Sequence, residues 1–237
     1  MNRLCNDRSR PVIFLGTSDS MSRLVDVCNI NEINVKGIID SDYYGNTPNI
    51  SNIPVIDTEE SFSNPEKLKY YRENFNFFCA TNWTPEPNLI SQRNREKRLR
   101  HINILDTLEL TVISIVDPWS RISESATIGR GVFIDCFTII ENGCNIGDYV
   151  SVYGQSGIGH HTKLMRNTVI QRYCSIAGGC TFEPNNYVGT SVKALKTGAV
   201  FGENTVIHEC IYIRRGTVNN EIVKQHGKNM KRVKVHG

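Results

Sequence analysis

The chain has 237 residues, with 27 Lys and Arg against 24 Asp and Glu, and a formal net charge of +3. That charge is too small to imply a nucleic-acid partner, and no apolar run approaches the roughly 20 residues of a membrane span. The N-terminus Met1-Asn2-Arg3-Leu4-Cys5 lacks an apolar secretory core and no Cys-x-x-Cys pair occurs, so the expectation is a soluble cytoplasmic protein whose cysteines are reduced packing residues.

Residues 1–115 read as an α/β domain. Apolar runs at Val12–Leu15, Val35–Ile39, Ile53–Ile56 and Phe75–Ala80 read as buried parallel strands, and Ser20–Ile30 and Pro87–Ile104 as helices. This alternation suggests a small doubly wound, Rossmann-like sheet. The first strand runs into the turn Gly16-Thr17-Ser18-Asp19-Ser20 at a helix start. Free N–H groups there favour an anion, so Gly16, Thr17, Ser18 and Ser20 are candidate phosphate contacts, with Ser20 equally a candidate N-cap. Asp40 and Asp42 follow the next strand, where such sheets bind ribose or base; they also suit a turn cap. The second helix carries Arg93, Arg95, Lys97, Arg98 and Arg100, read as a solvated face with phosphate binding as the rival.

From residue 116 the pattern changes. Ile122, Ile128, Ile134, Ile140, Ile146, Val152, Ile158, Leu164, Ile170, Ile176, Phe182 and Val188 stand six apart. Four residues after each comes a second column, mostly small, from Ala126 to Cys180, which Asn186 breaks. A period of six matches neither a helix nor an ordinary strand. It fits a parallel β-helix of short strands and corners, with three hexads per coil and each ladder residue about 4.8 Å from its counterpart in the next coil. One extra residue near Ala194 resets the ladder to Leu195, Phe201, Ile207 and Ile213. The repeat domain spans residues 116–218. A basic tail, residues 219–237, carries Lys224, Lys228, Lys231, Arg232 and Lys234.

One pair of histidines falls inside the regular repeat, in Ile158-Gly159-His160-His161-Thr162. His160 follows a ladder position by two, so its ring is expected to point outward, as a general base or as an ordinary surface histidine. One coil on lies Gly178, followed by Gly179. Glycines there suit a main-chain oxyanion site, and equally a corner. One coil before lies Asn142, whose amide oxygen could accept from His160 Nδ1–H and fix its tautomer.

The order of these parts resembles the sugar acetyltransferases that carry an N-terminal nucleotide-sugar-binding domain on a left-handed β-helix. The bacillosamine-pathway N-acetyltransferases and sialic acid O-acetyltransferases are of this type. Residues 11–216 carry the resemblance, through Val12-Ile13-Phe14-Leu15-Gly16, Gly37-Ile38-Ile39-Asp40, Ile53-Pro54-Val55-Ile56 and Val116-Asp117-Pro118 leading to Ser125-Ala126-Thr127-Ile128-Gly129. It implies transfer of acetyl from acetyl-CoA to an amino or hydroxyl group of a nucleotide-linked sugar, without a metal, in a homotrimer. It further implies His160 as base, Gly178 as oxyanion donor in an acetyl-CoA groove shared with Gly179, and the Gly16–Ser20 turn with Asp40 as nucleotide holder. Three features depart from the family. His161 replaces the acidic residue that orients the base, only Gly16 remains of a Gly-x-x-Gly-x-Gly turn, and a lysine-rich tail replaces Gly-x-Pro-Ala-Lys. The alternative is therefore a non-catalytic trimeric binding or scaffold homologue. A β-helix carbonic anhydrase is disfavoured, because His208 stands 48 residues from His160, not a whole number of coils.

Overall fold

A computed structural model describes residues 9–82, 89–226 and 229–234. The chain divides into two compact units that meet between Ser114 and Ile115.

The first unit is built on a five-stranded sheet. Its elements are β1 (Val12–Leu15), α1 (Met21–Ile30), β2 (Val35–Ile39), β3 (Asn49–Ile50), β4 (Ile53–Asp57), α2 (Pro65–Asn74), β5 (Asn76–Cys79) and α3 (Leu89–Thr107). The strand order is β3-β4-β2-β1-β5, parallel except for the β3–β4 hairpin. All four residues of β1 and of β5 are buried, which is why these strands read as continuous apolar runs.

The sequence reading misses α2. Its start signals are present: Asn64 Oδ1 accepts from the N–H groups of Glu66 and Lys67, at 2.9 and 3.2 Å, and Pro65 opens the helix. The helix buries only Tyr71, so no apolar period marks it. The expected start of α3 at Pro87 lies outside the described residues, and the helix runs on to Thr107.

The second unit is a stack of two-residue strands in three parallel sheets that fits a left-handed β-helix. Registers advance by one coil at each pairing, as in Ile122–Ile140–Ile158–Ile176–Ala194–Ile213. The ladder residues from Ile134 to Ile213 form one buried apolar core. Corners adopt positive φ, at His161 (57°) and Tyr173 (61°) for example, a conformation the interior of a strand never needs.

Two expectations for this unit are corrected, and the tail gains a structure. Ala194, 1% exposed, is the ladder residue, and Leu195 is 45% exposed; the extra residue falls in the corner after Ala194 and leaves its pairing with Ile176 intact. Asn186 does not break the small column. It is buried there, accepting from Thr205 N–H at 2.6 Å and donating to Phe201 O at 3.2 Å. The basic tail forms strands: Glu221–His226 pairs with Val206–Ile207 in parallel and with Asn229–Lys234 in an antiparallel hairpin. Val223, fully buried, extends the ladder, while charged neighbours hide that alternation in the sequence; Lys228 lies outside the described residues.

Cys144, Cys174 and Cys180 are free and buried in the small column. Burial pushes the Cys174 thiol up to about 12, so it packs as an apolar group.

Candidate active site

The registers Gly157↔Ser175 and Ile158↔Ile176 put His160 and Gly178 in one corner column of successive coils. The His160 ring lies over Gly178, so closely that a Cβ on residue 178 would stand 2.5 Å from His160 Nε2. His160 itself is exposed, and Gly178, in the next coil, is buried.

What lies below each of these residues differs. The His160 N–H donates to Glu141 Oε2 at 2.8 Å, a carboxylate reaching up from the preceding coil. The equivalent position below Gly178 is Gly159, which has no side chain to offer. Among the described residues the Gly178 N–H accordingly has no acceptor. Gly159 is also required by contact, since a Cβ there would lie 2.6 Å from the Gly178 nitrogen. Glu141 is a site residue that the sequence reading treats only as a corner. Its signal is its place directly after a ladder residue, one coil below the position that precedes His160.

The expected roles of Asn142 and Gly179 do not hold. Among the described residues the Asn142 amide makes no hydrogen bond, and its main-chain oxygen accepts from His161 N–H at 2.9 Å. His160 Nδ1 instead faces His161 Nδ1 at 3.1 Å. His161 is the nearer partner because its left-handed backbone turns the ring back over Gly143, where a Cβ would meet its Cδ2 at 2.7 Å. The Gly179 N–H is spent on His160 O at 2.7 Å, so Gly179, at φ 69°, serves the corner. In the histidine pair one Nδ1 donates and the other accepts. With His160 donating, its Nε2 keeps a lone pair directed at whatever approaches Gly178. A ring nitrogen that can take a proton, beside an unbonded main-chain N–H, is suited to attack on a carbonyl.

The first unit gathers a polar cluster where the parallel strands end. Gly16 has φ +80° and no room for a side chain, since a Cβ would lie 2.6 Å from the His101 ring. Thr17 Oγ1 donates to Asp40 Oδ2 at 3.1 Å. Ser20 stands at the N-cap of α1 without a side-chain cap bond, and Ser18 O accepts from Met21 N–H at 3.1 Å. Asp40 is fully buried, with Lys97 Nζ 2.5 Å from Oδ1 and the Asp42 N–H at 3.0 Å, so it is not a free ligand for ribose. Asp42 bridges Lys97 and Arg93, each at 2.7 Å, and the Lys97 hydrogen bond holds its carboxyl below the usual range. Burial disfavours the Lys97 charge, but the bonds to both aspartates outweigh it and raise its pKa.

Lys97 and Arg98 are thus buried, which corrects the solvated-face reading of the helix. Lys97, His101 and Leu105 recur at helical spacing on the inward side of α3, polar at one end and apolar at the other. The reading also misses His101, whose ring nitrogens sit 2.6 Å from Thr81 Oγ1 and 2.6 Å from Glu59 Oε1. Asp117, Asp135 and Cys136 bring possible metal-ligand atoms within 4.8 Å of one another. Main-chain N–H groups engage both carboxylates, from Trp119 on Asp117 and from Cys136 and Gly154 on Asp135, which accounts for them as corner caps.

No family model matches the chain. UDP-3-O-acylglucosamine N-acyltransferase 2 of Sulfurimonas denitrificans is 30% identical over 107 residues, which is 43% of this chain and 33% of that protein. The chain therefore spans about a third of the length of the curated relative it matches. Among solved structures, the acetyltransferase domain of PglB from Neisseria gonorrhoeae superposes with a TM-score of 0.78 at 16% identity, covering 94% of this chain and 100% of that one. WeeI from Acinetobacter baumannii gives 0.76 at 13%, with coverages of 94% and 100%. A variant of the perosamine N-acetyltransferase from Caulobacter crescentus, in complex with CoA and GDP-perosamine, gives 0.69 at 17%, with coverages of 93% and 96%. Over nearly its whole length, the chain has the fold of these three proteins.

Proposed function

We propose that the protein transfers an acetyl group from acetyl-CoA to an amino or hydroxyl group of a nucleotide-linked sugar. The observation that carries this reading is the column of His160 and Gly178, with the Gly178 N–H left without an acceptor because Gly159 has no side chain. The likeness to folds solved with CoA and GDP-perosamine supports it.

In this reading His160 Nε2 takes the proton from the attacking amine or hydroxyl, while the Gly178 N–H stabilises the oxyanion that develops on the thioester carbonyl. His161 holds the His160 ring through its Nδ1. The carbonyl carbon gains the bond to the acceptor and loses the bond to sulfur, and CoA leaves as the thiol. The Rossmann-like first unit holds the nucleotide end of the acceptor at Gly16, Thr17, Ser18 and Ser20. Asp42, partly exposed, is its carboxylate on that edge, with Asp40 beneath it as support for Lys97. The protein works as a homotrimer, with acetyl-CoA in the groove between neighbouring prisms.

The test is His160→Ala, assayed as thioester loss from acetyl-CoA against a panel of nucleotide-linked amino sugars. The expected result is a rate lower by roughly 10² to 10⁴, the range for removal of a general base, with an unchanged circular dichroism spectrum. Full activity in the variant rejects His160 as the base. One observation favours a second reading, a binding protein without turnover: His160 Nδ1 faces His161 Nδ1 and not the carboxylate that would orient a general base. Saturable nucleotide-sugar binding with no acetyl-CoA binding would establish it.

A further inference from the structure

One glycine of the repeat has no structural reason to be there. Among the described residues, every glycine except Gly157 either has a positive φ or would bring a Cβ to 3.0 Å or closer to a neighbouring atom. A Cβ on residue 157 would meet nothing within 4 Å, and its φ is not positive. Gly157 opens the strand Gly157–Ile158, where glycine weakens the strand and offers no side chain to pack. A strand glycine that neither backbone nor neighbours require marks a place where something else approaches the main chain closely.

Gly157 belongs to the coil of His160. Ile158 is the buried ladder residue, so residue 157 faces outward on the sheet that ends at the His160 corner. Its register partners are Ile139 in the coil before and Ser175 in the coil after, both exposed. The missing side chain therefore leaves a slot one coil wide between them. Two residues before Gly157, Gln155 stands at the opposite corner, with the exposed rings of Phe137 and Tyr173 one coil to either side. One end of the slot is thus the acyl-transfer corner, and three large apolar side chains, Ile139, Phe137 and Tyr173, line the rest. Exposed apolar side chains gathered beside a reactive corner suit an apolar ligand group. Of the groups that meet at that corner, the acceptor sugar is rich in hydroxyls and the pantetheine arm of CoA carries amides. Only the acyl chain is apolar throughout.

We propose that the slot over Gly157 takes the alkyl chain of an acyl donor longer than acetyl, with Ile139 and Phe137 on one side and Ser175 and Tyr173 on the other. This rests on the reading of the His160–Gly178 corner as the acyl-transfer site and extends its donors to medium-chain acyl-CoA. The chemistry is that of the acetyl group: the carbonyl carbon loses its bond to sulfur and gains one to the acceptor, whose proton passes through His160 Nε2 to the departing thiolate. Gly157 stands three residues before His160, roughly 10 Å along the chain. The methyl of acetyl stops short of it, and a chain of several methylenes lies over it.

The experiment is calorimetric titration of the full-length protein with acetyl-CoA and with hexanoyl-CoA, in wild type, Gly157→Leu and Ile139→Ser. Each methylene fully buried in the slot contributes up to about fourfold to affinity. The expected result is that wild type binds hexanoyl-CoA at least about tenfold more tightly than acetyl-CoA, and that a leucine filling the slot removes most of this preference. Ile139→Ser, an exchange at an exposed position, is expected to reduce the preference as well, and it decides the matter if light scattering shows that Gly157→Leu alters the state of assembly. Equal affinity of wild type for the two thioesters, or a preference that survives in Gly157→Leu of unaltered assembly, overturns the slot and leaves the acyl-transfer reading intact. Absence of binding of either thioester by the wild type overturns the acyl-transfer reading itself.

Discussion

At the scale of single residues, the contents of two equivalent positions decide what the corner can do. Glu141 caps the His160 N–H and Gly159 leaves the Gly178 N–H uncapped, so one coil is closed and the next is open to a ligand oxygen. The pairing of His160 with Gly178 is legible in the sequence, because residues one coil apart in a regular repeat must stack. Glu141 and the contact between His160 Nδ1 and His161 Nδ1 are not legible, since they depend on side-chain direction at a corner. His161 stands where a carboxylate would both orient the His160 ring and stabilise its protonated form. His161→Asp is therefore expected to raise the acetyl-transfer rate several-fold, and His161→Ala to lower it about tenfold, within the range of an orienting partner. Aspartate tolerates the left-handed backbone that residue 161 adopts, at φ 57°, so the change is expected to fold. The two rates, with Kd for acetyl-CoA as control, check it; a rate that is the same with Asp, His and Ala removes any orienting role from this position.

At the scale of elements, α3 shows why charge runs mislead. Its basic residues suggest a solvated face, yet the inward side carries Lys97 and His101, which reach Asp40 and Glu59 on the ends of other elements. Sequence cannot pair residues so far apart in the chain, and the apolar part of the face begins only at Ile102. The 3₁₀ segment Glu59–Ser63 ties into the same cluster. Burial alone would raise the pKa of Glu59, but hydrogen bonds from His101 and Ser41 outweigh it and hold the carboxyl at about 2, below the ordinary 4.5. A folded-state pKa below the unfolded one stabilises above the unfolded value, and that contribution is lost as pH falls through the folded value. The first unit is thus expected to lose on the order of 2 kcal/mol from this group on acidification, across the window from about 4.5 to about 2. Glu59→Gln removes the contribution near neutral pH and flattens the acid side of the stability curve. Urea midpoints near neutral pH and near pH 3 measure it, and equal slopes in wild type and variant would reject the role of Glu59.

At the scale of the whole molecule, the repeat unit is legible because each coil repeats the same packing problem, and periodic burial writes itself into the sequence. The α/β unit is less legible, because its burial is not periodic and its last strand-end contacts are polar. The misplaced ladder position is instructive: Leu195 has the larger apolar side chain, yet Ala194 is the residue turned inward. The cross-section of a coil is shared by three ladder residues, here Phe182, Val188 and Ala194, and the rings of Phe182 and Phe201 stack with centroids 4.2 Å apart. Two phenylalanines in successive coils leave room for only a small third side chain, so total volume rather than hydrophobicity selects alanine. Ala194→Ile is therefore expected to destabilise the second unit by about 1–3 kcal/mol through overpacking. Phe201→Leu alone is expected to cost stability by opening a cavity, and the double variant to recover part of both losses, because the two sites share one space. Denaturant midpoints of the four proteins measure the coupling; strictly additive losses would show that Ala194 and Phe201 do not compete for the same volume and that another constraint keeps residue 194 small.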